Sequence, residues 1–367
     1  MGKVDARLTE MLESVEWDSF TLSQIFNRIE QGRRLKKDDQ ILGKIPFVMA
    51  GVTNTGVVNY ISNPVASFPA NSITVDIFGN AFYRSYAFGA GDDTGVYWND
   101  EIEYSPRAMI FLTSVISKSL LGKYSYGSKL RSSQSFGFKI RLPVKNGNLH
   151  LDFMENFVAE LEARRSAELE AYLSAAGLKD YRLTAEEKQA LAAFGQRKWA
   201  KFNLETLFGN ATRGKRLKSD DRISGCLPFV TAGEADTGIS AFIGNPVHRF
   251  KANTVTIDMF GSAKYRNYEY GADDHVAVVH TDELEKMAVL FITSAIHKAA
   301  YTGEFHYGRN FYAKDADDLM INLPVKDGEP DYAYMQTLIS AVQKQVIKDV
   351  VHYADEKIAA TKTVIAR

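Results

Sequence analysis

The chain has 367 residues, with 44 Lys and Arg against 45 Asp and Glu and a formal net charge of -1. That length supports two domains of ordinary size. Near-neutrality excludes attraction of nucleic acid by overall charge, so any phosphate-binding surface must be gathered into patches. No apolar run is long enough to span a bilayer, and the single cysteine, Cys226, excludes an internal disulfide; a cytoplasmic protein is expected.

Residues 1–16 mix charges among apolar positions, the pattern of a short amphipathic helix and not of a signal-peptide core. Trp17 to Phe26 leads into a basic turn, Gly32-Arg33-Arg34-Leu35-Lys36-Lys37-Asp38-Asp39. Ile45 to Ala50 is a short apolar run suited to a buried strand. Thr53-Asn54-Thr55-Gly56 signals a turn before a strand over Val57 to Ile61. Ser72 to Phe78 alternates β-branched and polar residues as far as Gly79, and Tyr83 to Phe88 reads as one further aromatic strand. Ser105-Pro106 starts a helix with proline at its first position, running to about Leu121 and stopping at Gly122. Phe138 to Leu142 is the last strand of this part, followed by Pro143 and an Asn146-Gly147 turn.

At Asp152 the period changes. Phe153, Phe157 and Leu161 recur every four residues in a helix that ends near Gly177, and a Thr184-x-x-Glu187 capping box begins a second helical piece. The chain then repeats itself. Trp199 opens the second copy as Trp17 opens the first, and Gly214-Lys215-Arg216-Leu217-Lys218-Ser219-Asp220-Asp221 repeats the basic turn. Leu227-Pro228-Phe229-Val230 repeats Ile45-Pro46-Phe47-Val48, Thr254 to Phe260 repeats the Phe-Gly strand, and Lys286 to Ala300 repeats the helix. Leu323-Pro324-Val325-Lys326 repeats Leu142-Pro143-Val144-Lys145. A last helix from about Tyr334 carries Leu338, Val342, Val346, Val350 and Tyr353 on one stripe.

Self-similarity on this scale marks a duplicated domain. The expected architecture is α+β, with two tandem, pseudo-symmetric α/β domains over 17–150 and 199–330. They follow the N-terminal helix over 1–16 and are separated by helical segments over 151–198 and 331–367, whose long helices pack antiparallel. A helix of about 25–30 residues is ~40 Å long. That is close to the ~34–36 Å between the half-sites read by dimeric DNA binders.

Arg33, Arg34, Lys36 and Lys37, with Lys215, Arg216 and Lys218 in the second copy, can neutralise phosphates without reading sequence. The plainer reading is a solvated loop balanced by Asp38 and Asp39. Tyr83-Arg84 and Tyr265-Arg266 each follow a Phe-Gly; arginine bonds guanine bidentately, and tyrosine contacts phosphate or stacks. A strand alternating core aromatics with exposed cations would show the same pattern. Tyr126-Gly127-Ser128-Lys129-Leu130-Arg131 is matched by Tyr307-Gly308-Arg309-Asn310. Lys129, Arg131, Arg309 and Asn310 therefore fall where the copies differ, as readers of different bases would; a simple hairpin turn is the alternative.

Asp76, Asp258, Asp92-Asp93 and Asp273-Asp274 lack a Glu-x-Lys placed alike in both copies, so no catalytic metal site is expected. Asn63-Pro64 and Asn245-Pro246 share only part of the Asn-Pro-Pro-aromatic motif of adenine methyltransferases. Val65 and Val247 stand at the second proline, and no glycine-rich cofactor loop precedes them. The histidines show no metal-ligand spacing, leaving His275 and His280 as surface or core residues.

The Trp-led entry, the Gly-basic turn followed by Ile/Leu-Pro-Phe-Val, and the strand-Pro-long-helix exit resemble the DNA specificity subunits of restriction-modification systems, type I or type IIB. The Gly-x-Arg-Leu-Lys-x-Asp-Asp and Pro-Phe-Val-x-Ala-Gly forms are more similar to the short subunits paired with fused nuclease-methyltransferases. Gly32-Arg33-Arg34-Leu35 stands where type I members carry a Gly-x-Thr-Pro turn, and the exit motif is reduced to Leu142-Pro143-Val144. The resemblance implies two target-recognition domains in a non-catalytic subunit. Such a subunit binds a bipartite double-stranded DNA site, one half per domain, and docks methyltransferase or nuclease-methyltransferase subunits through its helices. S-adenosylmethionine and Mg²⁺ would then reside in those partners, with no cofactor in this chain. Two other classes remain as alternatives: a stand-alone DNA-modifying enzyme, and a repeat scaffold that binds protein or carbohydrate.

Overall fold

The computed structural model describes residues 6–64 and 67–365, with side chains described as far as Lys357. The start of the 1–16 segment, Val65 and the last two residues of the 331–367 segment lie outside the described residues. The chain divides into two compact units, Met1–Ala171 with Glu356–Arg367, and Tyr172–Asp355.

In the first unit the fully buried strand Ser72–Asp76 sits inside a four-stranded antiparallel sheet. The order is Arg28–Gln31, Thr94–Trp98, Ser72–Asp76, Ala81–Arg84. Its β-branched Ile73, Thr74 and Val75 suit a strand covered on both faces. The neighbouring strand Thr94–Trp98 turns a period of two into two cores. Tyr97 joins a cluster with Phe26, Ile73, Leu112 and Ile116, whereas Val96 joins Val48, Phe68 and Phe88.

The helix Pro106–Leu120 closes the first cluster, and its start is set by Pro106 and by Ser105 Oγ, which accepts the Ala108 amide at 3.2 Å. A second sheet closes the other cluster, ordered Val57–Ile61, Leu42–Val48, Phe88–Ala90, Ser67–Phe68. Leu42–Val48 and Phe88–Ala90 run parallel in it. Tyr83 to Phe88 is thus not a single strand. It ends at Arg84, and Ser85-Tyr86-Ala87 carries the chain across to the other sheet. The aromatic alternation continues through the crossing, which hides the break from a periodicity argument.

The strand Glu16–Thr21 pairs with Lys139–Lys145 and explains the opening tryptophan. Trp17 stacks on Phe111 at 6.5 Å, and Phe111 meets Phe153 and Phe157 edge-on at 6.3 and 5.8 Å. The tryptophan therefore ties the domain's helix to the first turns of the long helix Leu151–Ala175. An ion pair between Arg107 and Glu162 at 3.0 Å adds to the same contact. The long helix stops as expected at Gly177, whose φ of 67° lets the Leu178 amide return to the Leu173 carbonyl at 2.8 Å.

The second unit repeats these elements. Trp199–Asn203 pairs with Met320–Lys326, and Trp199 stacks on Phe291 at 6.1 Å. The buried strand Thr254–Asp258 lies between Val276–Val279 and Ala263–Arg266, and the helix is Lys286–Ala300. Register is kept too: Val255 faces Val279 as Ile73 faces Tyr97. The capping box forms, with the Glu187 amide donating to Thr184 Oγ1 at 3.2 Å and the Thr184 amide to the Glu187 carboxylate at 2.8 Å.

The final helix, Tyr332–Ile365, departs from expectation. Met335, Leu338 and Ala341 are buried, while Val342, Val346, Val350 and Tyr353 are exposed. A step of four residues turns ~40° past a full helical turn. Repeated from Leu338, it carries the valine stripe off the core face.

Candidate nucleic-acid interface

Each basic turn begins with a glycine wedged under another backbone. The Gly32 amide donates to the Thr94 carbonyl at 2.9 Å and the Arg33 amide to the Ala90 carbonyl at 2.8 Å. A Cβ on Gly214 would lie 1.8 Å from the Ala272 carbonyl oxygen, so the crossing needs glycine. Beyond it Arg33, Arg34, Lys36 and Lys37 are exposed, as are Lys215, Arg216 and Lys218. Among the described residues none of these side chains is in an ion pair, and Asp38 and Asp39 are exposed beside them.

In the first unit the turn borders an open groove of about 750 Å³ lined by Arg34, Lys36 and Lys37, apolar Met49 and Val58, and the amides of Gln40 and Asn59. Asp92 also lines it, and the Arg131 Nη1 donates to the Asp92 carbonyl at 3.0 Å. Arg131, at the end of the second candidate loop, thus bonds a residue that lines this groove. That loop is a two-residue hairpin: Ser125 and Ser128 exchange backbone bonds at 3.0 Å around Tyr126-Gly127. His306 and Arg309 frame Tyr307-Gly308 in the same way. Tyr126 and Tyr307 are 81% and 85% exposed, which puts the hairpin tips in solvent.

Lys129 Nζ lies 4.7 Å over the Tyr126 ring. Arg309 is exposed, with Nη2 bonded to Asp315 at 3.0 Å, and Asn310 Nδ2 reaches the Tyr312 hydroxyl at 3.4 Å. The turn is regular and Arg131 and Arg309 are exposed beside it, whereas Lys129 and Asn310 are half-buried and the Asn310 Oδ1 is buried.

Tyr83, Arg84, Tyr265 and Arg266 require a correction. Arg84 and Arg266 are each 1% exposed and cannot reach a base. Arg84 Nε donates to Thr74 Oγ1 at 3.0 Å, Nη1 to Thr55 Oγ1 at 3.1 Å and to the Tyr86 hydroxyl at 3.2 Å, and Nη2 to the Thr55 carbonyl. Arg266 Nε donates to Thr256 Oγ1 at 2.9 Å and Nη1 to the Tyr268 hydroxyl at 3.0 Å. Among the described residues no carboxylate pairs with either guanidinium. Burial pulls the Arg84 pKa down, and the Tyr86 hydroxyl partly opposes it.

Arg84 braces the turn Thr53–Gly56, where Asn54 and Thr55 hold φ of 48° and 51°. The tyrosines pack on the core, each hydroxyl donating to an asparagine: Tyr83 to Asn71 at 3.1 Å, Tyr265 to Asn253 at 3.0 Å. Burial raises both phenol pKa values.

The repeated carboxylates and asparagines are structural. Asp76 is buried and accepts the amides of Phe78, Asn80 and Gly51 at 2.8, 2.9 and 3.0 Å. Asp258 does the same for Phe260, Ser262 and Gly233. Asn63 accepts the Ile41 amide at 2.7 Å and donates to the Asp39 carbonyl at 2.8 Å. Asn245 makes the matching pair with Ile223 and Asp221, which accounts for both Asn-Pro pairs without catalysis.

Asp273, Asp274 and His275 cluster at the edge of the second basic turn, and burial raises the Asp273 pKa. An Asp273 carboxylate oxygen accepts the Leu217 amide at 3.4 Å, which gives this group a role in shaping the turn. His280 Nε2 lies 2.8 Å from Thr212 Oγ1, and burial lowers its pKa.

Among the described residues no helix is long and apolar enough to cross a membrane. Residues 14–171 match the type I restriction modification DNA specificity domain. Over 347 residues the chain is 20% identical to the type II restriction enzyme specificity subunit S.BcgI of Heyndrickxia coagulans, covering 91% of this chain and 96% of that one. The fold is similar to that of the type I restriction-modification S subunit from M. genitalium, with a TM-score of 0.59 at 14% identity over 96% of this chain and 94% of that one. Residues 14–171 thus belong to the type I restriction modification DNA specificity domain, and the second half of the chain repeats the same elements, an arrangement similar over nearly its whole length to the DNA specificity subunits of restriction-modification systems.

Proposed function

We propose that each unit reads one half of a bipartite double-stranded DNA site, positioned on the duplex by its basic turn. The observation that carries this is the pair of glycine-pinned turns whose exposed cations have no acidic partner among the described residues. They gather positive charge into two patches on a chain whose net charge is -1. Arg33, Arg34, Lys36 and Lys37, with Lys215, Arg216 and Lys218, hold phosphates. Lys129, Arg131, Arg309 and Asn310, on loops that differ between copies, contact bases.

The helices Leu151–Ala175 and Tyr332–Ile365, ~37 and ~51 Å long, set the distance between half-sites and dock methyltransferase or nuclease-methyltransferase subunits. The exposed valines Val342, Val346 and Val350 support docking on the second helix. S-adenosylmethionine and Mg²⁺ belong to those partner subunits. In this chain the repeated carboxylates Asp76 and Asp258 are already committed to backbone amides.

Filter binding of the full chain to a random-sequence duplex, at low and high salt, tests the reading. Affinity that falls linearly in log–log form with salt is expected. No affinity at low salt would remove the DNA role and favour a scaffold.

A further inference from the structure

Resting on the reading of one half-site per unit, we infer that Gln40 and Arg222 are base-reading residues at the same position of the two repeats, Gln40 for an adenine and Arg222 for a guanine. The backbone around them is the same. Each follows a one-turn 3₁₀ segment, with φ and ψ of -76° and 122° at Gln40 and -80° and 127° at Arg222. The Gln40 amide donates to the Lys37 carbonyl at 3.2 Å and the Arg222 amide to the Ser219 carbonyl at 3.3 Å. Each precedes an isoleucine whose amide is held by the repeated asparagine, Asn63 or Asn245. Both side chains are half-buried beside an exposed basic turn. One scaffold thus presents two different side chains at the place where a duplex held by that turn would lie.

The supporting residues differ to match. Asn59 Nδ2 donates to Gln40 Oε1 at 2.9 Å, which fixes the amide and leaves a second Oε1 lone pair and the Nε2 hydrogens for a ligand. An acceptor beside a donor complements the N6 and N7 edge of adenine. In the second repeat Ala241 replaces Asn59 and Ser240 replaces Val58. Arg222 Nε and Nη2 donate to the Leu217 carbonyl at 3.3 Å, Nη1 donates to Ser240 Oγ at 3.2 Å, and the guanidinium lies 5.1 Å over the Phe229 ring. One hydrogen on each Nη stays free, and two coplanar donors complement guanine O6 and N7. Each side chain is held in place before DNA arrives, as a reader must be.

Selection from a random duplex library by the full chain, by Arg222→Gln and by Gln40→Arg tests this. Arg222→Gln is expected to turn one guanine of one half-site into adenine and leave the other half-site unchanged, which also reports that the variant is folded. Gln40→Arg should make the converse change in the other half. With wild-type chain, 7-deazaguanine at that guanine should weaken binding about tenfold, and Arg222→Ala should abolish the difference. Swaps that leave the selected bases unchanged, swaps that weaken every sequence alike as lost phosphate contacts would, or 7-deazaguanine without effect at every guanine of both halves would overturn the inference. The half-site reading survives those outcomes. It fails, and the inference with it, if the wild-type chain selects no sequence.

Discussion

Gly32 and Gly91 cross so closely that a Cβ on Gly32 would lie 2.2 Å from the Gly91 carbonyl oxygen. The basic turn is therefore held by backbone contact, and its position does not depend on the charged side chains it presents. Gly32→Ala should force the crossing apart and destabilise the first unit by ~1–3 kcal/mol. Gly214→Ala should do the same in the second. Chemical denaturation checks both, and a loss under ~0.5 kcal/mol, the range of an ordinary surface change, would contradict the geometry.

Separating the turn's position from its charge makes Arg34 and Arg216 clean probes of phosphate binding. Arg34→Ala should weaken binding to all duplexes alike and reduce the salt slope by about one. Arg216→Ala should match it. Salt titrations against cognate and random duplex measure the slope, and a changed base preference would make the turn a reader.

Arg84 makes the opposite prediction. Arg84→Ala leaves the Thr55 carbonyl without its guanidinium partner and should cost about 3 kcal/mol with base preference unchanged. Arg84→Met should cost less, because it also removes the burden of a buried cation. Urea unfolding beside competition binding distinguishes the two cases. A stable Arg84→Ala chain with altered preference would restore this arginine to the DNA surface.

Within the second unit Glu187 ties the helix Ala185–Ala193 to the final helix, accepting from Ser340 Oγ at 2.7 Å and Lys344 Nζ at 3.1 Å. Burial raises its pKa, but the bonds from Ser340, the Thr184 amide and Lys344 outweigh burial and hold the carboxyl below its usual 4.5. A depressed acid contributes stability that is present above the unfolded pKa and lost as pH falls through the folded one. Unfolding free energy should therefore drop below about pH 4.5, and Glu187→Gln should flatten that limb. An unchanged acid limb in Glu187→Gln would remove this carboxylate from the account.

Much of the fold was legible because its signals are local. Ser105-Pro106, the Thr184-x-x-Glu187 box and Gly177 each act on backbone within a few residues, and each boundary lies close to its expected place. The repeat exposed the glycine and tryptophan positions, and the structure supplies their reasons in Gly91 and Phe111. Arg84 was misread because a strand alternates identically whether its arginine points inward or outward. Its hydroxyl partners Thr55, Thr74 and Tyr86 are neutral, so no charge pairing marks it as buried. The valine stripe was misplaced because a four-residue step drifts around a helix of 3.6 residues per turn. Gln40 and Arg222 escaped notice although their flanks match, Asp39 and Ile41 against Asp221 and Ile223. Comparing the copies for differences inside matching flanks would have found them.

The central claim is that two tandem readers are set apart by helices, and the pattern of methylated bases tests it most directly. The full chain is expressed with the methyltransferase subunits proposed to dock on it in a host lacking other methylation, and the genome is sequenced for modified bases. The account predicts a motif of two short blocks separated by an unread gap of fixed length. It also predicts that four residues inserted near Ala171, about one helical turn, lengthen the gap and change neither block. A single continuous motif, or an insertion that changes the blocks and not the gap, would contradict it.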